Sequence, residues 1–353
     1  MAGDSNQLMI ADRIDGLLQP FEHGLFVGQA ESEARFLAAA GSQRLHHAWL
    51  FCGPSGVGKA TFAFRLARHF LSVHGQASAV TTDDLDRAAD PNNPVFRKVA
   101  RGGHPNILHL RVPMQESGKG FRTVITVEEV RRTVGFFGST AGDLGWRIAL
   151  IDSANDMNLN AANALLKILE EPPPRTLFFL LSDQESRLLP TIRSRCQRLA
   201  FRALDDAPLA RALRNAAPGL ADGDIATAIR DHGAIIGGSV RRAYRFSAGD
   251  TADILMTFQR LLDAGPAYSM AELHRFADQI SARGADDLFA LFVDYLESHL
   301  GAKVRQGGEA RSLVRWAEVW DKVHARLALE KSINLDRKQT VLALFQDLRS
   351  ANP

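Results

Sequence analysis

The sequence has few cysteines, almost no net charge and no long hydrophobic run. Its 353 residues include only Cys52 and Cys196, which excludes a disulfide framework or a four-cysteine zinc site within one chain. The 42 basic and 40 acidic side chains leave a formal charge of +2, too little for a global cationic field that attracts nucleic acid or anionic lipid. No apolar stretch approaches the roughly 18–20 residues of a membrane span, and the N-terminus lacks a signal-peptide pattern. We therefore expect a cytoplasmic protein without a membrane partner.

The first 203 residues alternate between strand and helix patterns. Helical periodicity at 59–70, 127–136 and 159–169 separates short apolar runs, and a polar stretch at 74–103 is predicted to be an irregular insertion. The runs are bounded by turn residues, as expected of strands buried on both faces of a parallel sheet. They lie at 49–52, 107–110, 148–151, 177–181 and 198–201. The alternation predicts a doubly wound α/β domain.

After about residue 203 only helical patterns remain. Three short helices are predicted at 207–216, 222–232 and 239–246. Five longer helices are predicted at 251–263, 270–282, 285–303, 309–328 and 335–348. The sequence therefore predicts an α/β part followed by an all-α part.

The clearest motif joins the first strand to the following helix and reads Gly53-Pro54-Ser55-Gly56-Val57-Gly58-Lys59. Its glycines let backbone N–H groups converge on phosphate oxygens, and the helix N-terminus adds a positive dipole. Lys59 supplies a mobile charge for the outer phosphates. The motif is typical of a nucleotide-binding phosphate loop, and the alternative interpretation is a glycine turn with a chance lysine.

The residues that would handle a metal ion are incomplete. Ala60 stands where an active loop has Ser or Thr, whose hydroxyl ligates Mg²⁺. Thr61 lies about 100° further around the helix and cannot simply substitute. Asp152 follows the strand at 148–151, where a Mg²⁺-organising carboxylate belongs, although a helix cap is the alternative. Ser153 cannot act as a carboxylate base, so we expect no fast hydrolysis in this chain.

Three further segments resemble bacterial clamp-loader subunits of DNA polymerase III. They are Leu150-Ile151-Asp152, the run NALLKILEEPP at 163–173 and the triplet Ser194-Arg195-Cys196. The resemblance extends to the segments at 47–50, 104–106, 125–127 and 334–336, and so covers nearly the whole chain. Within this family the gamma/tau branch has an intact ATP site, whereas the delta-prime branch usually lacks it. Ala60 and Ser153 make this chain similar to the delta-prime branch.

The resemblance implies three domains and a ring. The expected domains are an AAA+ domain at 1–203, a helical lid at 204–248 and a helical collar at 249–353. The implied partners are gamma/tau and delta subunits in a pentameric clamp loader, which places the sliding clamp on primed DNA. A delta-prime subunit acts there as a stator, without its own ATPase or polymerase activity but within the polymerase holoenzyme.

The resemblance also implies roles for individual residues. Arg195 is implied to be an arginine finger for the ATP site of a neighbouring subunit, and a surface arginine flanking a strand is the alternative. Arg241 matches the second-sensor position in the lid, or it is only a basic residue at a helix start. Ser182 lies near the first-sensor position. Val27-Gly28 resembles a segment near the adenine, or it is an ordinary turn.

Cofactors and competing functions stay open at this point. ATP with Mg²⁺ is a possible ligand of the degenerate loop, and zinc is not expected because the stretch 74–103 has no cysteine. The main alternative function is a catalytically active clamp-loader ATPase of the gamma/tau type. A further alternative is an unrelated phosphate-loop kinase or DNA-repair ATPase.

Overall fold

The chain forms two compact units in the computed structural model, Met1–Ser247 and Ala248–Pro353. The structure describes residues 13–41, 45–73, 80–114, 122, 124–138, 145–248, 252–283, 285–305, 310–333 and 335–351. The predicted boundary between the AAA+ domain and the lid stays a prediction, because both parts belong to the first unit. Each unit has its own hydrophobic core and is considered by itself.

One parallel sheet organises the first unit. Its strands are β1 (Ala48–Cys52), β2 (Ile107–Leu110), β3 (Arg147–Ile151), β4 (Thr176–Ser182) and β5 (Gln197–Ala200). They lie in the order β2-β3-β4-β1-β5, and Leu50 of β1 stands opposite Leu180 and Arg198. Every predicted strand agrees with the observed one to within one residue. The predicted parallel α/β sheet is confirmed.

Helices cover both faces of this sheet. They are α1 (Ala30–Gly41), α2 (Lys59–Ser72), α3 (Thr82–Ala88), α4 (Pro94–Ala100), α5 (Val127–Gly138), α6 (Leu159–Glu170) and α7 (Pro190–Arg193). Phe51 of β1 packs on one face with Phe62 of α2, whereas Leu50 packs on the other face with Leu165 of α6. Because neighbouring strand residues point to opposite faces, burial on both sides explains the continuous apolar runs.

Two helices occupy the stretch that was expected to be irregular. The prediction for 74–103 is wrong over α3 and α4, and residues 74–79 lie outside the described part. Thr81 and Asp84 form a capping box at the start of α3, and the Asn93 side chain accepts from the backbone N–H of Val95 at the start of α4. Each helix has only seven residues, so too few apolar positions repeat to reveal its period.

Three helices complete the first unit, and we call them the lid helices. They are α8 (Asp206–Ala216), α9 (Asp222–Ile236) and α10 (Val240–Ser247). The glycine before α10 fixes the contact of the lid helices with the sheet, because Gly238 has φ +68° and the backbone N–H of Leu204 donates to its carbonyl. The lid helices therefore meet the sheet at the segment that leaves β5.

Over its described residues, the second unit is helical, as predicted. It contains α11 (Ala252–Asp263), α12 (Met270–Ser281), α13 (Asp286–Arg305), α14 (Ala310–Ile333) and α15 (Arg337–Ala351). Its core is a cluster in which the ring of Phe258 lies 4.9–5.8 Å from those of Phe276, Phe292 and Phe345. Within the described residues of both units, no helix combines the length and the apolar character that crossing a bilayer requires.

Candidate functional site

The phosphate loop, residues 53–59, connects β1 to α2 as the sequence predicts. Its backbone is shaped by glycine: a Cβ at Gly53 would lie 2.3 Å from the carbonyl oxygen of Phe201, and Gly58 has φ +101° just before the helix. The backbone N–H of Gly53 donates to Ser182 O at the end of β4. The loop is therefore anchored at the carboxyl edge of the sheet, where α/β folds bind ligands.

A cavity of about 250 Å³ lies over this loop and collects residues from separate motifs. Its polar lining includes the side chains of Ser55, Lys59, Thr61, Asp152, Ser182 and Arg241. Its apolar lining includes Leu17, Leu25, Phe26, Val27 and Leu204. Loop N–H groups, Lys59 and Arg241 are groups that bind phosphate, and the apolar residues are of the kind that contact a base.

Lys59 is held by its own loop. Its ammonium donates to the carbonyl oxygens of Gly53 and Pro54, both at 2.6 Å, and the residue is only 9% exposed. A phosphate would have to draw the ammonium away from these two acceptors. The lysine keeps its place in the motif but is already satisfied inside the chain.

The residues present do not fit a Mg²⁺ ion. Ala60 offers no oxygen, and the Asp152 carboxylate lies 3.5 Å from Nε2 of His109 on β2. Burial would raise the pKa of Asp152, but the contact with His109 and the charges of Lys59 and Arg241 hold the pKa below its usual value. Cationic side chains therefore surround the carboxylate from which a metal site would be built.

The residue that follows Asp152 also departs from an ATPase site. Ser153 has φ +58°, in the left-handed region that a non-glycine residue rarely adopts. The residue after Asp152 therefore carries a hydroxyl and not a second carboxylate. A base for water attack is missing at this position.

The lid helices contact the phosphate loop directly. The backbone N–H of Val240 donates to the carbonyl oxygen of Gly56 at 2.9 Å. A Cβ at Gly56 would lie 2.2 Å from Oγ of Ser239, a residue that is 1% exposed. Ser239 and the first residue of α10 therefore contact the loop, and Arg241 lines the cavity; its role as a second sensor stays a prediction.

Sequence reasoning missed several neighbours of the predicted residues. His109 faces Asp152 across adjacent strands, and Asn155 accepts a hydrogen bond from the hydroxyl of Ser182 at 3.1 Å. Ser239 packs against the loop from the lid helices. A histidine within a buried strand beside β3 is a usable signal for His109. Nothing in the sequence indicates which side chain meets Gly56.

The triplet Ser194–Cys196 lies outside this cavity, between α7 and β5. Arg195 is 36% exposed, and its Nη2 forms an ion pair of 2.7 Å with Oε1 of Glu170 at the end of α6. Its Nη1 donates to the carbonyl oxygen of Thr191 at 3.1 Å. The structure therefore places the predicted finger at the surface of the first unit, away from the chain's own phosphate loop.

Both cysteines are suited to packing. Burial raises the pKa of Cys52 and of Cys196 to about 12, so the thiols stay neutral at physiological pH. Across the residues that the structure describes, no group of three His, Cys, Asp or Glu side chains could hold a metal ion. Residues 74–79 of the insertion lie outside the described residues, so the absence of a metal-binding group does not extend to them.

Comparisons with known proteins now identify the family. The sequence model described as "DNA polymerase III, delta subunit" matches residues 28–205, which is half of the chain. The chain belongs to this family. A DNA polymerase III subunit delta' from Pseudomonas aeruginosa is 39% identical over 150 residues, which cover 42% of this chain and 41% of that protein. The family match spans the sheet, the phosphate loop and the Arg195 triplet.

Two weaker similarities accompany the family match. A tau/gamma subunit of DNA polymerase III from Haemophilus influenzae is 27% identical over 187 residues, covering 53% of this chain and 25% of that protein. A solved DNA polymerase III gamma-subunit-related protein from Thermotoga maritima has a TM-score of 0.40 at 14% identity, over 92% of this chain and 100% of that chain. The alignments therefore span less than half of the length of these curated relatives.

Proposed function

We propose that this chain is the delta-prime-type subunit of a bacterial DNA polymerase III clamp loader. It would join gamma/tau and delta subunits in a five-membered ring and help to place the sliding clamp on primed DNA. Its domains would be the AAA+ domain at 1–203, the lid at 204–248 and the collar at 249–353 that the sequence predicts. The observation that carries the proposal is the pairing of a partly exposed Arg195 with a phosphate loop that lacks its metal-binding hydroxyl.

The proposed role of Arg195 is to complete the ATP site of the adjacent subunit. A guanidinium is planar, always charged and able to donate several hydrogen bonds at once. Placed against a terminal phosphate, it stabilises the charge that spreads over the phosphate oxygens during transfer. The exposure of Arg195 supports a role across a subunit boundary, because a neighbour's nucleotide can reach it.

The chain's own cavity supports a non-hydrolysing role. Ala60 removes the metal-ligating hydroxyl, Ser153 replaces the expected base, and His109 faces the remaining carboxylate of Asp152. These three features together disfavour the alternative of a gamma/tau-type ATPase. The lid helices contact the phosphate loop through Ser239 and Val240, and these contacts favour a rigid subunit. In the proposed ring, the loop would then have a structural role and not a catalytic one.

The test is hydrolysis of ATP by the reconstituted five-subunit complex with primed DNA and the clamp. We expect Arg195→Ala to abolish turnover at the one site that Arg195 serves, since loss of such a finger costs about 10³–10⁵-fold in GTPase systems. The total rate should fall by that site's share. Arg193→Ala is the matched control, because Arg193 is an exposed arginine two residues away. An unchanged rate in a ring whose mass is intact would contradict the proposal.

A further inference from the structure

The end of α6 lies beside the proposed finger, and this contact has no assigned role. Glu170 is the last residue of α6, and three prolines at 172–174 prevent the helix from continuing. Its Oε1 lies 2.7 Å from Nη2 of Arg195. The position of the carboxylate is therefore fixed by the end of a helix that packs on the sheet.

We infer that Glu170 is a positioning residue for Arg195, an inference that rests on the proposed function of Arg195. The guanidinium is held from two sides, by Glu170 at Nη2 and by the carbonyl oxygen of Thr191 at Nη1. A long arginine side chain otherwise samples many rotamers, and binding a phosphate in one of them costs conformational entropy. Two contacts on different nitrogens fix the plane of the guanidinium as well as its place.

The two contacts leave the guanidinium able to bind a phosphate. It has five N–H donors, of which Glu170 and Thr191 engage one each. The remaining donors can face an oxyanion without breaking either contact. Glu170 thus orients the charged group before a nucleotide arrives, which is how a fixed donor contributes to stabilising a transition state.

The adjacent residue Glu171 makes the inference specific. Glu171 is also an exposed carboxylate, but it forms no ion pair with any residue in the described ranges. The two glutamates carry the same charge at almost the same place in the chain. A general electrostatic effect on the neighbour's nucleotide would involve both, whereas orientation of Arg195 involves Glu170 alone.

The experiment measures kcat and KM for ATP in the reconstituted complex with primed DNA and the clamp. We expect Glu170→Ala to lower kcat at the one site that Arg195 serves about two- to fivefold with KM unchanged, the range expected for a partly exposed ion pair, so the total rate should fall by less than in Arg195→Ala. Glu170→Gln retains an oxygen that accepts from Nη2, so most of the rate should return. Glu171→Ala should match the unsubstituted complex. In the Arg195→Ala background, Glu170→Ala should have no further effect.

The outcomes separate this inference from the proposed function. If Arg195→Ala slows the complex but Glu170→Ala behaves like Glu171→Ala, the inference about Glu170 is wrong, and the proposed role of Arg195 still holds. A rate that rises in Glu170→Gln also overturns the inference, because the carboxylate would then hold Arg195 away from the phosphate. If Arg195→Ala itself has no effect, the proposed function fails first. Equal loss of kcat in Glu170→Ala and Glu170→Gln would mean that charge, not orientation, matters.

Discussion

Two cations of the first unit, Lys59 and Arg195, have opposite environments. Lys59 is 9% exposed, and its ammonium donates to two carbonyl oxygens of its own loop. Arg195 is 36% exposed, and its two contacts at the surface leave other donors available. One cation is enclosed by the chain that carries it, and the other is accessible to a second chain.

The difference indicates that the phosphate loop and the arginine triplet serve different ends. The loop has lost Mg²⁺-ligating chemistry but keeps its glycines, and the lid helices pack on it through Ser239 and Val240. The contacts with Ser239 and Val240 give the loop a structural role that does not depend on a bound nucleotide. We interpret it as a packing element that fixes the lid helices, whereas Arg195 carries the proposed chemistry.

The strongest effect is expected where the lid helices meet the sheet. Gly238 has φ +68°, and a Cβ there would lie 2.3 Å from the backbone nitrogen and 2.6 Å from the backbone oxygen of Leu204. Because backbone atoms cannot move aside as a side chain can, Gly238→Ala should lower the free energy of unfolding by about 3 kcal/mol or more. Urea denaturation followed by circular dichroism measures this change.

Gly219→Ala is the matched control for this substitution. Nothing lies within 4 Å of a Cβ at Gly219, and its φ is not in the left-handed region. Its stability should stay within about 0.5 kcal/mol of the unsubstituted chain. Equal stability of the Gly238→Ala and Gly219→Ala variants would contradict the structural role that we assign to the contact between Gly238 and Leu204.

A smaller effect is expected from acid, because the cavity wall buries a histidine. Burial, assisted by the charge of Arg68, lowers the pKa of His23 to about 4. The unfolded chain therefore binds a proton more readily than the folded chain between about pH 6.5 and pH 4. The stability from neutral His23 is complete above pH 6.5 and is lost as the pH falls toward 4. The loss amounts to at most about 3 kcal/mol.

His23→Gln isolates this contribution. The variant keeps a polar side chain but has no group that titrates in this range, and the backbone carbonyl of residue 23 still accepts from Arg68. The difference in unfolding free energy between the two proteins should therefore shrink as the pH falls from 7 to 4. Parallel pH profiles of the two proteins would contradict the burial of His23 in the lining of the cavity. They would also weaken the contrast between the enclosed Lys59 and the accessible Arg195.

The strands were predictable because each is a short apolar run between turn residues. A helix needs several turns of periodic apolar residues before its pattern is clear, and α3 and α4 have only seven residues each. Helix α1 was missed for a related reason, since only Ser32 and Phe36 of its residues are buried. The fold follows from the sequence wherever an element buries a full face.

The candidate site divides in a similar way. The phosphate loop, Ala60 and Ser153 are local features, and the sequence alone reveals both the motif and its losses. The contacts of Asp152 with His109 and of Arg195 with Glu170 join residues 43 and 25 positions apart, by subtraction of their numbers. Such contacts depend on the order of the strands and on where each helix ends. Local patterns therefore predict which groups are present but not which groups they face.

The smallest effect on hydrolysis is expected from Lys59→Ala. Loss of the ammonium removes hydrogen bonds to Gly53 and Pro54, so the free energy of unfolding should fall by about 1–3 kcal/mol. The ATPase rate of the reconstituted complex should nevertheless match that of the unsubstituted complex, because the enclosed lysine takes no part in turnover. The isolated chain should hydrolyse no ATP with Mg²⁺ in either form. A drop in rate as large as that of Arg195→Ala would mean that both cations act on nucleotide, and the contrast between them would fail.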